Sequence, residues 1–273
     1  MTICGTSFRL SGLSAPQERT IRDLWPDFID EDAAEPEPLT VFRTPESTFK
    51  KLNRWVYELD FDYQPDSLRV VGLDLLARVS MEPRFRAALW IATEAPDTFH
   101  GAIENFLRVV VAYAALHRGG ALVHSAAVVD GDDAWLFVGH SGAGKSTVSR
   151  LALESGRAVL SDDLNPILPS DENGIDVVGS PFLGDLGART PARHRLTAIY
   201  RLEQGPEDAI RPMGAAETLA ALMACAPYIN RDRRRTDVLC SNLLGLAERV
   251  PARVLSFRRD GTFWPLLERR ALV

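Results

Sequence analysis

The sequence predicts a mixed fold: an α/β core preceded by a β-rich N-terminal region, α+β overall. Three observations lead there. The stretch GHSGAGKST (residues 139–147) lies between the apolar run AWLFV (134–138) and a segment of helical character. RAVLS (157–161) follows as a short apolar strand. Strand, loop, helix and strand thus succeed one another as in a βαβ unit, which implies parallel pairing and a right-handed crossover. Ahead of this core, LTVFR, NRWVYELDFDY, LRVVGLDLLARVS and RAALWIAT read as strands of an antiparallel meander.

Each element has its own local signal. DEDAAEPEPLT (30–40) is acidic and carries Pro36 and Pro38, so it reads as a linker or exposed loop. Trp55, Tyr57, Phe61 and Tyr63 are spaced as strand residues and are expected in the core. GAIENFLRVVVAYAALHRGG (101–120) sets Ile103, Phe106, Leu107, Val110, Val111 and Ala114 at helical spacing, and Gly119–Gly120 stops it. ALVHSAAVV (121–129) is a strand and DGDD (130–133) a turn. A helix should run from about Lys145 to Ser155, stopped by Gly156. RLTAIYRL (195–202) and ARVLSFRR (252–259) read as strands, GAAETLAALMACA (214–226) and TDVLCSNLLGLAERV (236–250) as helices. The expected domains are a β-rich region ending in a helix, 1–118, and a nucleotide-binding catalytic domain, 119–273.

Bulk composition excludes some function classes. A chain of 273 residues with 46% hydrophobic content can fill one large core or a main domain with a smaller companion. The net charge of -6 argues against a general nucleic-acid binder, which needs a basic surface. The local run Arg231, Arg233, Arg234, Arg235 reads as a solvated helix face or loop, or alternatively as a dock for an acidic partner. Cys4, Cys225 and Cys240 form no CxxC pair and no metal spacing with the histidines, as expected in a reducing compartment. No secretory apolar stretch opens the chain, and the segment 106–116 is too short to span a bilayer. The expectation is a cytoplasmic protein with no membrane partner.

The central stretch fits G-x-x-x-x-G-K-[ST] through Gly139, Gly144, Lys145 and Ser146. Glycines let backbone N–H groups turn inward around phosphate oxygens. A lysine brings positive charge to the β and γ phosphates, and a serine hydroxyl can ligate Mg²⁺. The candidate nucleotide-binding residues are Gly139, Ser141, Gly142, Ala143, Gly144, Lys145, Ser146 and Thr147.

Asp162 and Asp163 close the next strand, which is expected to run parallel to the strand feeding the loop. Strand C-termini share one sheet edge, where ligands bind in open α/β sheets. One acid can bind Mg²⁺, directly or through water, and the other can take a proton from an attacking hydroxyl. The plainer alternative is a pair of turn residues. A hairpin centred between Gly131 and Asp132 sets His124 opposite Gly139, where an imidazole could tune or relay a proton.

The combination LVHSAAVVDGDDAWLFVGHSGAGKST…GRAVLSDDL resembles the catalytic core of the HPr kinase/phosphorylase family, over about residues 122–164. That family carries a histidine on the strand before a phosphate loop and an Asp-Asp pair one helix and strand later. The close acid pair is shared with phosphoenolpyruvate carboxykinases. The resemblance implies a P-loop kinase core of that type, with ATP as phosphate donor and Mg²⁺ as cofactor. It implies that Lys145 binds phosphate, that Ser146 binds Mg²⁺, and that His124, Asp162 and Asp163 form the proton-handling and metal-binding cluster. The preferred division makes Asp163 the base and gives Asp162 to the metal. No base-recognition motif separates ATP from GTP.

The family's Arg-Gly-x-Gly segment and glutamate have no counterpart in VVGSPFLGDLGART (177–190). The chain therefore looks more like divergent HPr-kinase-like proteins, some of which phosphorylate serine in lasso-peptide precursors. The implied substrate is a peptide or protein bearing an acceptor serine. A homo-oligomer is also within the family's range. A small-molecule kinase and a non-catalytic nucleotide switch are the alternatives. GSPFLGD (179–185) is a candidate substrate or phosphate loop around an exposed-looking Pro-Phe. Of Arg189, Arg193 and Arg195, Arg189 is the candidate for stabilising transferring phosphate charge.

Overall fold

Period-two burial builds the first sheet. In the computed structural model, which describes residues 1–49, 59–72, 75–92, 94–170 and 173–268, the chain forms two compact units, Met1–Ala114 and Ala115–Val273. The first unit contains β1 (Thr2–Ile3), β2 (Thr6–Ser11), α1 (Ala15–Leu24), β3 (Glu37–Arg43), β4 (Asp60–Tyr63), β5 (Ser67–Gly72), β6 (Leu75–Ser80) and β7 (Arg86–Ile91). The helix α2 (Pro96–His117) follows. One sheet of seven strands runs β1-β2-β3-β7-β6-β5-β4. Leu39 and Val41, Leu68 and Val70, Ala77 and Val79, and Leu89 and Ile91 are buried at alternate positions.

The expected meander is present in β4 to β7, each antiparallel to its neighbour. β3 departs from it: it lies parallel to both β2 and β7. β1, β2 and α1 carry no strong sequence signal. At the start of α1, the Ser14 N–H donates to Gln17 Oε1 at 2.8 Å, half of a capping box. Phe61 and Tyr63 are only half-buried, stacked on each other at 5.7 Å on the edge strand β4. An edge strand has a neighbour on one side only, so the core expectation does not hold for them. Trp55 and Tyr57 lie outside the described residues.

Gly119 ends α2 with φ +77°, and the Gly120 N–H returns to the Ala115 carbonyl at 2.9 Å. The second unit then begins with a hairpin, β8 (Ala121–Asp130) and β9 (Asp133–Val138). Its two-residue turn needs the positive φ of Gly131, +64°. Asp130 pairs with Asp133 and the ladder runs to Ser125–Val138, the register that the DGDD turn predicts. After β9 come α3 (Lys145–Glu154), β10 (Ala158–Ser161), β11 (Leu164–Pro169), β12 (Ile175–Val178), β13 (Arg193–Gln204) and β14 (Ala209–Pro212). The chain closes with α4 (Ala215–Ala224), α5 (Thr236–Ala247), β15 (Ala252–Phe257) and α6 (Trp264–Glu268).

The expected βαβ pairing is altered. β10 runs in the same direction as β9, but β8 lies between them, antiparallel to both. The reason is competition for edges. The tight hairpin gives one edge of β9 to β8, and β13 occupies the other in parallel. The strand returning from α3 can pair only with the far edge of β8. The second sheet has eight strands, with β13 also parallel to β15.

One face of this sheet carries Trp135 and Phe137 of β9, Tyr200 of β13 and Phe257 of β15 against Val148, Leu151 and Ala152 of α3. Phe263 and Trp264 seal it, 4.4 Å apart between ring centroids, with the Arg157 guanidinium 4.6 Å from the Trp264 ring. Ala134, Leu136 and Val138 are equally buried on the other face, so β9 reads as a continuous apolar run. Leu239, Leu243 and Leu246 of α5 are buried, and α5 packs against β8.

This core makes a stability prediction. Phe263→Ala removes a fully buried ring and should cost about 3–5 kcal/mol in urea unfolding of the full chain. A loss under about 1 kcal/mol would show that Phe263, just before α6, is not part of the cooperative core.

Candidate functional site

Two features of the second unit converge: the loop after β9 and a break in the strand after α3. The loop owes its path to glycine. Gly142 has φ +81° and Gly144 has φ +114°. A Cβ on Gly144 would also sit 2.7 Å from the Phe257 ring. Lys145, the first residue of α3, is buried, and its ammonium donates to the carbonyls of Gly139 at 3.0 Å and His140 at 3.3 Å. Burial lowers the pKa of this lysine, while Cys225 and Asp163 pull it back up. The first amides of α3 have no intrahelical acceptor, so the loop ends in a field that favours anions.

The acids directly follow the end of β10 at Ser161, as expected, and β11 begins at once after them at Leu164. β10 and β11 both pair with β8, but the register shifts between Val159 and Ser161, and pairing resumes at Leu164–His124. Asp162 and Asp163 form the break between β10 and β11 directly after Ser161, one residue beyond the register shift at Leu160. A buried carboxamide holds it: Asn165 Nδ2 reaches the Ser125 carbonyl at 2.9 Å, the Ser125 Oγ at 3.0 Å and the Ser161 carbonyl at 3.1 Å. Ser161 Oγ accepts the Asp163 N–H at 3.2 Å and donates to the Phe182 carbonyl at 3.2 Å.

The two acids have different surroundings. Asp163 Oδ1 lies 3.0 Å from His124 Nδ1, with His124 half-exposed and Asp163 mostly buried. Asp162 is buried, and both of its oxygens are engaged by the loop after β12. Oδ1 accepts the Gly184 N–H at 3.1 Å and Oδ2 the Leu186 N–H at 2.8 Å. A Cβ on Gly184 would come within 2.6 Å of that carboxylate. Between these two amides stands Asp185, whose Oδ2 accepts the Ser146 hydroxyl at 3.2 Å.

A cavity of about 360 Å³ is lined by His124, Ser141, Gly142, Gly144, Lys145, Ser146, Thr147, Asp162 and Asp163, with Gly184, Asp185 and Arg259. The expected residues are therefore gathered there, except Gly139, Ala143 and Arg189. Gly139 and Ala143 border a separate cleft of about 760 Å³ with Arg201, Leu202 and Gln204, where Gln204 Nε2 donates to the Gly142 carbonyl at 2.7 Å. Arg189 Nη1 donates to the Pro181 carbonyl at 3.3 Å. Arg259 is the guanidinium that lines the cavity. Pro181 and Phe182 are buried, not exposed, because the loop folds back onto Ser161.

Sequence reasoning missed Asp185, Arg259, Asn165 and Cys225. Asp185 and Asn165 stand close to residues it did single out, the glycines of GSPFLGD and the acid pair. Cys225 Sγ lies 3.7 Å from the Gly139 carbonyl, and the Cys225 carbonyl accepts the His124 N–H at 2.7 Å. Its thiol is pushed up by burial, against the pull of the Gly139 hydrogen bond and Lys145. Among the described residues, no three His, Cys, Asp or Glu side chains converge as a complete metal cage. No described helix is long and apolar enough to cross a membrane.

Comparison with known proteins places these residues in a family. Residues 97–273 match the family described as SynChlorMet cassette protein ScmC, and the chain belongs to that family. Among solved structures it is similar to the Hpr(Ser) kinase/phosphatase from Coxiella burnetii. Identity is 13%, the match covers 56% of this chain and 99% of that one, and the TM-score is 0.32. No curated protein matches the chain.

Two predictions follow from this geometry. Asn165→Ala orphans two buried carbonyls and should cost about 2–4 kcal/mol in denaturant unfolding; a neutral substitution would mean the break is held by other contacts. At pH 8 the raised Cys225 pKa leaves little thiolate, so iodoacetamide should modify half-exposed Cys240 first and Cys225 only after unfolding. Peptide mass spectrometry reads the order.

Proposed function

Taking the chain as a member of this family, we propose that it is a kinase that transfers the γ-phosphoryl group of ATP to a hydroxyl, with serine of a peptide or protein as acceptor. The observation that carries the reading is the 3.0 Å contact between His124 Nδ1 and Asp163 Oδ1, in one cavity with Lys145 and the first turn of α3. A pure nucleotide switch needs an anion-binding loop but has no use for a carboxylate–imidazole pair beside it.

The residues take the following roles in this reading. Backbone amides of residues 142–147 and the Lys145 ammonium hold the phosphates. Asp163 accepts the proton of the acceptor hydroxyl as its oxygen attacks the γ-phosphorus. The bond from that phosphorus to the bridging oxygen breaks, and ADP leaves. His124 orients the Asp163 carboxylate and can share the proton it receives. Arg259 takes the charge-stabilising role first expected of Arg189, because it is the guanidinium at the cavity.

The donor set fits magnesium. Mg²⁺ is held through one or two carboxylates, substrate phosphates and waters rather than a full protein cage. Ser146 Oγ is the ligand this chain offers, with the Asp163 carboxylate at hand. The ion would neutralise charge on the β and γ oxygens. Asp162, with both oxygens bonded to amides, serves the loop in this reading instead of the metal.

The family name describes a cassette protein, so the first acceptors to try are serine-containing peptides encoded beside the gene. With γ-labelled ATP and Mg²⁺, label should appear on such a peptide. Asp163→Asn should lower kcat about 10²–10⁴-fold while keeping nucleotide affinity within a few-fold. Transfer at the normal rate by this variant would remove Asp163 as base. Bound ATP with no peptide labelled would move the acceptor to a small molecule. Failure to bind nucleotide would end the reading.

A further inference from the structure

The side chain that meets the Ser146 hydroxyl belongs to neither acid of the Asp162–Asp163 pair. It is Asp185, on the loop after β12, with Oδ2 3.2 Å from Ser146 Oγ. That loop is fixed by Asp162, whose two oxygens accept the N–H groups immediately before and after Asp185. Asp162 is only 4% exposed, so this clamp is shielded from competing water. Gly184 is part of it, because any side chain there would collide with the carboxylate.

Hydrogen-bond polarity gives the arrangement a consequence. A serine hydroxyl has one proton and two lone pairs. An ionised carboxylate only accepts, so the Ser146 proton is drawn to Asp185 and the lone pairs turn elsewhere, toward the cavity. A cation ligand needs that orientation. Partners of this kind, which orient a ligand without touching the metal, commonly affect metal affinity about 10–100-fold.

We propose that Asp162 and Asp185 form a two-step positioning device for Ser146: Asp162 clamps the loop through the Gly184 and Leu186 amides, and Asp185 orients the Ser146 hydroxyl toward a magnesium–nucleotide ligand. The inference rests on the kinase reading above and deepens it. Both acids are positioning residues. Neither is required to contact the phosphates.

The test reads affinity, not phosphate transfer. The full chain is titrated with a fluorescent ADP analogue, once with EDTA and once with Mg²⁺, and the ratio gives the gain due to the cation. Asp185→Ala should lose that gain about 10-fold or more, with EDTA affinity within twofold of the unaltered protein. Asp185→Asn keeps an oxygen that can accept the Ser146 proton, so it should retain the gain within about threefold. Gly184→Ala leaves all three acids in place but displaces the clamp, and should behave like Asp185→Ala. Thermal melts confirm that each variant is folded, and Asp185 is exposed enough that its truncation should not unfold the chain.

Each other outcome overturns the inference. A full gain in Asp185→Ala removes any role for Asp185. An equal loss in Asp185→Asn and Asp185→Ala makes Asp185 a direct metal ligand and not an orienting group. A full gain in folded Gly184→Ala removes the clamp. A chain that binds nucleotide with no magnesium gain overturns the inference alone, whereas one that binds no nucleotide overturns the kinase reading with it.

Discussion

The carboxamide of Asn165 is the interaction on which the candidate site depends. A strand paired straight through from Ala158 to Pro169 would satisfy its carbonyls with ladder amides. Here the Asp163 N–H turns to Ser161 Oγ instead, and the carbonyls of Ser125 and Ser161 face a dry interior. An unpaired buried carbonyl is costly, so such a break persists only if something else donates. Asn165 Nδ2 serves both. With the break held, Asp163 stands one residue before Leu164, the direct cross-strand partner of His124. A regular pleat would put these two side chains on opposite faces of the sheet, so their 3.0 Å contact depends on the break between β10 and β11.

The loop after β9 is poised by opposing demands. Lys145 is drawn under the loop by the carbonyls of Gly139 and His140, yet burial disfavours its charge. An incoming polyanion would offer better partners than these carbonyls. Gly142 and Gly144 allow the turn without strain, and Phe257 beneath Gly144 keeps the loop from sinking into the core. The same aromatic cluster that stabilises the second unit therefore sets the height of the anion-binding amides.

Sequence legibility followed the range of the interactions involved. The hairpin register was readable because a two-residue turn fixes it locally, and Gly131 advertises the turn. The helices at 145–154, 215–224 and 236–247 were readable from apolar spacing and capping. Strand order was not, because β10 had to compete for an edge with β8 and β13, and a local pattern does not encode such competition. That the acids close β10 was legible; that β11 starts at once after them and continues along β8 was not. The Pro181–Phe182 pair looked exposed between glycines. Its burial comes from the Ser161 hydroxyl, twenty-one residues earlier. Asp185 escaped notice because its partner Ser146 is far away in sequence.

The pairing pattern of the second unit has a consequence for how this protein can associate. β8, β11, β12, β13 and β9 pair in a closed circuit, which leaves no free backbone edge among them. The outer side of β10 is covered too, by the Thr190 N–H on the Leu160 carbonyl at 2.9 Å and by the Ser161–Arg189 bridge. Among the described residues of this unit, what remains is the far side of β14, a strand of four residues ending in Pro212. A short edge with a proline is a poor template for a further strand. An extended polypeptide meeting this unit would find little backbone to pair with and would have to be held through its side chains, so recognition would depend on its residue sequence and not on its readiness to become a strand.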